Sequence, residues 1–146
     1  MNSSGDIGLK SPNPDYRRFA TAQYENAAFV KHLGIELVDL GEGWCEMRLP
    51  LEPRHNQQNG LVHAGVITTL ADHCCGTAAS TMCPSGQKVL SLEFKINLLR
   101  PGSGQVLSCR AEVVRAGRTV MVTEAKVLND AGKAVALMTA TMAVLG

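Results

Sequence analysis

The stretch from His63 to Met82 constrains this chain more than any other, because in twenty residues it carries no Lys or Arg and a single acid, Asp72. Val66, Ile67, Leu70, Ala71, Cys74, Cys75 and Ala78 wrap most of the circumference of a helix drawn through it. Such a helix is buried rather than laid on a surface. Asp72 stands near its middle with no basic residue three or four positions away, although Asp is a weak helix former and costly to bury. At helical spacing it shares a side with Gly65, Thr68, Thr69, Gly76 and Ala79, small or hydroxyl-bearing residues that let a backbone or a ligand approach. Two readings follow: a carboxylate solvated at a groove mouth or bonded to a neighbouring backbone N–H, or a carboxylate held in a cleft for chemistry.

The remainder of the chain says what could bury that helix. Residues 1–12 are polar and hold too little apolar surface to order themselves, so they read as a flexible tail ahead of a single domain over residues 13–146. Asn13-Pro14 reads as the cap and first residue of a helix whose stripe of Tyr16, Phe19, Ala20, Gln23, Ala27 and Val30 ends before Gly34. From Ile35 the period becomes two, with a Gly-Glu-Gly turn at 41–43, which predicts a hairpin through Leu51. Past the uncharged helix, Leu90, Leu92, Phe94, Ile96 and Leu98 alternate with Ser91, Glu93, Lys95 and Asn97, predicting a strand with one face on a core. Three more alternating segments, about 105–115, 119–129 and 133–144, are separated by turn sequences and form an antiparallel meander. Strands grouped on either side of one helix exclude a parallel α/β sheet. The fold class is α+β, one curved antiparallel sheet wrapped around one long buried helix.

At 146 residues and a net charge of +1, one domain buries roughly 68% of its unfolded surface without staples. The absence of a Lys/Arg cluster argues against nucleic acid and anionic membranes as partners. Five cysteines, two of them adjacent at 74 and 75, form neither a disulfide framework nor a zinc spacing. With no leader pattern and a central helix interrupted by Asp72 and two histidines, the expected location is the cytoplasm.

Among chemistries, a serine hydrolase lacks the G-x-S-x-G elbow, with Ser103 lying between glycines in a turn. Cys74 and Cys75 read as small buried residues. His63, Asp72 and His73 do not share a helical face at ligand spacing, so no metal and no cofactor is expected. What remains is a carboxylate plus the start of its own helix, where the Ala64 and Gly65 amides and the helix dipole favour negative charge. That pair suits thioester hydrolysis: a thiol of pKa roughly 8.5 departs without much help from an acid, leaving one base and one oxyanion site to do the work.

HNQQNGLVHAGVITTLAD at residues 55–72, followed by SLEFKINLLRPG, RAGRTVMVTEAKVLNDAGK and the closing TATMA, resembles the PaaI-type hotdog-fold acyl-CoA thioesterases over about residues 34–144. The resemblance implies a hotdog fold, a dimer or dimer of dimers, acyl-CoA as substrate, and sites shared between subunits. By position it makes Asp72 the general base or nucleophile, Gln57 the group that orients water or the thioester carbonyl, and Ala64 and Gly65 the oxyanion donors. His63 would support the helix start and Ser91 would help hold water, while Arg118 would meet the coenzyme A phosphates. The family usually has Gly where this chain has Ala64. Two alternatives remain at this level. One is a hotdog module that binds acyl thioesters without turnover. The other, a hotdog dehydratase, expects a His-Phe-Pro loop that is absent.

Overall fold

The alternating segments join into one six-stranded antiparallel sheet, and the uncharged stretch is the helix it wraps. The computed structural model describes residues 5–146. In chain order the elements are α1 (Tyr16–Glu25), α2 (Ala28–Leu33), β1 (Glu36–Gly41), β2 (Trp44–Pro50), a 3-10 turn (Pro53–His55), α3 (Ala64–Ser80), β3 (Lys88–Leu98), β4 (Val106–Ala116), β5 (Val120–Leu128) and β6 (Ala134–Leu145). The strand order is β1-β2-β4-β5-β6-β3, so β3, the first strand after the helix, returns to the far edge and pairs with β6.

Helix α3 lies in the hollow of that sheet. Leu70, Ala71, Cys74, Cys75, Ala78 and Ala79 are wholly buried against Met47, Leu49, Leu107, Ala111, Val127 and Met142. Burial of each large side chain in this set contributes about 1.5–3 kcal/mol, which outweighs the poor helix propensity of the Thr, Cys and Gly residues in α3. All five cysteines are free and buried. The Cys74 thiol donates to the Cys45 carbonyl at 3.3 Å, and burial pushes the Cys75 thiol up to about 12, so Cys75 is not poised as a thiolate.

Three features depart from the sequence reading. The expected N-terminal helix is two helices, broken at Asn26 and Ala27. The break turns the chain so that Val30 is buried and the Tyr24 hydroxyl donates to the Ile35 carbonyl. Asn13 does not cap α1: its Oδ1 accepts from the Asp15 amide in a local turn, and the helix begins at Tyr16. Gly34, at φ +87°, closes α2 in the left-handed region as expected.

Strand β3 is the second departure. Its apolar residues are not covered: Leu90, Leu92, Phe94 and Leu98 are 43–60% exposed. The strand lies at a sheet edge, where the single helix covers it only in part, and a bulge between Ser91 and Glu93 reverses its alternation.

The third concerns the first residues. Of the stretch expected as a tail, Met1–Ser4 lie outside the described residues, whereas residues 5–12 run along the domain. The Ser11 hydroxyl donates to the Thr81 carbonyl at 2.6 Å, satisfying one of the orphan carbonyls at the end of α3. Arg110 Nη2 donates to the Gly5 carbonyl at 3.0 Å.

Candidate active site

The sequence-predicted residues fall into two groups on one chain. The first is the loop entering α3. Asn56 and Val62 form an antiparallel bridge that closes it, the Gln57 amide donates to the Leu61 carbonyl at 2.7 Å, and the Gly60 amide donates to the Gln57 carbonyl at 3.1 Å. Gly60 takes φ +80°, which a side chain would resist. The Gln57 side chain folds into this turn, where its Oε1 accepts from the Asn59 and Leu61 amides. Its carboxamide oxygen is thereby held, and Nε2, a donor, is the end left for a ligand.

His63 is the N-cap of α3. Its Nδ1 accepts from the Gly65 N–H at 2.8 Å, while its carbonyl accepts from Val66 and Ile67. Of the two expected oxyanion donors, Gly65 is therefore engaged in the cap, and the Ala64 N–H donates to none of the described residues. Ala64 and Gly65 are both exposed. Gln57, His63, Ala64, Ile67, Leu98 and Arg100 line a cleft of about 480 Å³ at this end of the helix.

The second group is Asp72 with Ser91. Asp72 is half-buried, and its Oδ1 accepts from the Ser91 hydroxyl at 2.9 Å. The same Ser91 oxygen lies 3.2 Å from the Met142 sulfur. By alternation Ser91 belongs with Glu93, Lys95 and Asn97 on the polar face. The bulge inserts Leu92 without a partner, so Ser91 pairs opposite buried Met142 and turns toward α3. Of the two readings of Asp72, the bond it makes is to a side chain from another element, not to a backbone N–H.

Next to it, His73 is mostly buried, its Nε2 has no partner among the described residues, and its ring lies 6.5 Å from that of Tyr24. Burial lowers its pKa from 6.5, against a smaller upward pull from Asp72. The ring is neutral at pH 7 and carries no positive charge that could pair with Asp72. Arg118 joins neither group; it is exposed in the β4–β5 turn and makes no ion pair among the described residues. That turn sits at the sheet end that carries Ser91, since Ser91, Met142, Met121 and Ala116 pair in one row.

Ala64 and Asp72 are eight residues apart on one straight helix, about 12 Å at 1.5 Å per residue. A base attacking a carbonyl carbon through water and a donor holding the same carbonyl's oxygen must each come within about 3 Å of their atoms. On one chain the free Ala64 amide and the Asp72 carboxylate are thus well separated along α3.

Residues 59–136 match the family model described as the thioesterase superfamily. A thioesterase family protein of Silicibacter pomeroyi has a structure that superposes with a TM-score of 0.84 at 35% identity, covering 89% of this chain and 98% of that one. The acyl-coenzyme A thioesterase PaaI of Escherichia coli is 32% identical over 120 residues, covering 81% of this chain and 83% of that protein. The structure of E. coli PaaI superposes with a TM-score of 0.85 at 26% identity over 93% and 97% of the two chains. A thioesterase of Haemophilus influenzae superposes with a TM-score of 0.79 at 30% identity over 86% and 87%.

Proposed function

The chain belongs to the thioesterase superfamily as a PaaI-type hotdog thioester hydrolase, and from that premise we propose that it hydrolyses acyl-CoA thioesters at sites completed by two copies. The observation that carries this reading is the separation of about 12 Å along α3 between Asp72 and the free Ala64 amide, which a second copy running the other way removes. The uncovered apolar face of β3, an edge strand with open backbone donors and acceptors, is the surface such a copy would pair with. Two such dimers associate in turn, as the resemblance implies.

In this site Asp72 of one copy supplies the electron pair, either by taking a proton from water or by attacking the carbonyl carbon itself, with the Ser91 hydroxyl fixing its Oδ1. The Ala64 N–H of the other copy holds the oxygen that becomes negative, Gln57 Nε2 orients the carbonyl or the water, and His63 with Gly65 keeps the helix start in shape. The C–S bond then breaks and the coenzyme A thiolate leaves. With Asp72 as base the proton taken from water passes to that thiolate; with Asp72 as nucleophile a water hydrolyses the Asp72–acyl anhydride to the free acid and the restored carboxylate. A single turnover in ¹⁸O water tests the nucleophile role: label in the Asp72 carboxylate appears only if Asp72 formed the anhydride and water opened it at the Asp72 carbonyl. Arg118, exposed at the sheet end that carries Ser91, is the cation offered to the coenzyme A phosphates. The unpaired cysteines fit a reducing compartment, the cytoplasm; no described helix is long and apolar enough to cross a membrane.

The test is a thiol-release screen over acyl-CoA esters of graded size, with Asp72→Asn as the blank. Turnover above that blank for at least one ester is expected. A flat response across all of them would leave a protein that binds thioesters without hydrolysing them.

A further inference from the structure

His55 is wholly buried in the loop that carries Gln57, and no catalytic role falls to it. Both ring nitrogens are nonetheless used. Nε2 lies 2.7 Å from the Leu33 carbonyl at the end of α2, and Nδ1 accepts from the Glu52 amide at 3.0 Å. A carbonyl can only accept and a backbone amide can only donate, so these partners fix the neutral tautomer with its proton on Nε2. The backbone of the same residue is used as well: its amide donates to the Glu52 carbonyl at 2.9 Å, and its carbonyl accepts from the His63 amide at 2.8 Å.

One buried residue thus ties together the end of α2, the entry of the loop and the N-cap of α3. The loop between His55 and His63 is closed at its base by the His55–His63 bond and the Asn56–Val62 bridge. Its tip, Asn59 to Leu61, is exposed and touches the body of the protein through this base. His55 therefore shares with buried Val62 and the buried face of α3 in setting where Gln57 and the Ala64 amide sit, and it is the one that ties them to α2 by hydrogen bonds. Arg54 adds a second tie from the outside, donating to the His32 carbonyl and to Glu52, but it is exposed and exchanges with water.

We propose that His55 is a positioning residue for thioester hydrolysis: as a neutral imidazole bonded at both nitrogens it holds the Gln57 loop and the Ala64 N–H in register with the carboxylate half of the site. The proposal rests on the reading above that Ala64 donates to the oxyanion. Hydrolysis is sensitive to this placement because a shift of about 1 Å in such a donor costs about 10²-fold in rate.

The experiment is a double-mutant cycle in kcat, with KM and the thermal midpoint followed alongside. His55→Ala is expected to lower kcat by about 10²-fold with a smaller change in KM. His55→Gln, whose longer side chain carries a donor toward the Leu33 carbonyl, should recover more of kcat than His55→Asn, whose shorter carboxamide reaches only the Glu52 amide, with its oxygen accepting. Ala64→Pro removes the amide through which His55 acts, so in that background the His55 substitutions should cost much less than in the wild type. If His55→Ala does not fold, His55→Gln and His55→Asn carry the same cycle. An equal loss in both backgrounds, or unchanged kcat in a folded His55 variant, would overturn the positioning role while leaving the oxyanion assignment standing. Unchanged kcat in Ala64→Pro alone would instead remove the oxyanion assignment, and with it the route by which His55 acts.

Discussion

The two halves of the proposed site are built by opposite means. The loop half, residues 55–65, is held by bonds between residues close in sequence: the Asn56–Val62 bridge, the turn under Gln57 and the His63 cap. The carboxylate half is held by one bond between Asp72 and Ser91, nineteen residues apart on a helix and an edge strand. It exists only because a bulge reverses the strand at Leu92. Local bonds make the loop half a unit that can be placed as a whole. The carboxylate half depends on a register that one residue can reverse, and its strand is left partly uncovered by its own chain.

The largest effect is expected at the carboxylate. Asp72→Asn keeps the shape of the side chain and removes the base, so kcat should fall by roughly 10²–10⁴ with the fold intact. Steady-state kinetics beside a circular dichroism spectrum checks it, and retained activity would take Asp72 out of the mechanism.

Ala64→Pro addresses the loop half. His63 is extended, at φ −62° and ψ 135°, a conformation that accepts a following proline, and Ala64 is the first helical residue. No internal bond is lost, so the fold should be nearly undisturbed while kcat drops by about 10²–10³. An unchanged kcat would mean that the helix start is not the oxyanion site.

A third pair tests the bulge. Ser91→Ala removes a hydrogen bond to a carboxylate and should cost about tenfold in kcat, in line with about 1.5 kcal/mol for such a bond. Deleting Leu92 makes Ser91 and Glu93 direct neighbours, opposite Met142 and Thr141 as they already are, so Ser91 should still face α3 and the deletion should cost less kcat than Ser91→Ala. Adding Ser91→Ala to that deletion should then bring the same loss of about tenfold; no further loss would show that Ser91 no longer reaches Asp72 once the bulge residue is gone.

The smallest effect concerns stability alone. Burial lowers the His73 pKa below 6.5, so below that pH the unfolded chain binds a proton that the folded one refuses. The stabilisation is complete above about pH 6.5 and is lost as pH falls toward the lowered folded value, at no more than about 1.4 kcal/mol per pH unit. Urea titrations of His73→Phe should show a flatter acid limb than wild type; an identical slope would assign the loss to other groups.

This contrast also separates what could be read in the sequence from what could not. The uncharged helix, the hairpin and the meander were legible because burial on one element leaves a period in its own residues, as at Leu70, Cys74 and Ala78. The loop half was legible for the same local reason, apart from Gly65, whose amide is taken by the His63 ring, a choice that spacing does not encode. Ser91 was read onto the polar face because alternation carries no mark of a bulge, and the exposure of Leu90 and Leu92 could not be read because alternation marks an apolar face without saying what lies over it. The break at Asn26 and Ala27 escaped notice because the stripe through Ala27 and Val30 keeps helical spacing across it.

The central claim, that each site takes its carboxylate from one copy and its oxyanion amide from another, is tested most directly by co-expressing Asp72→Asn with Ala64→Pro and measuring kcat per site. For a shared site, a mixed dimer has one site with both defects and one with neither. Random pairing makes about half the dimers mixed, so activity should return to roughly one quarter of wild type in a two-fold dimer, although each parent alone is nearly inactive. Purified mixed dimers that stay as inactive as their parents would contradict the account, because every site would then lie within one copy and carry a defect.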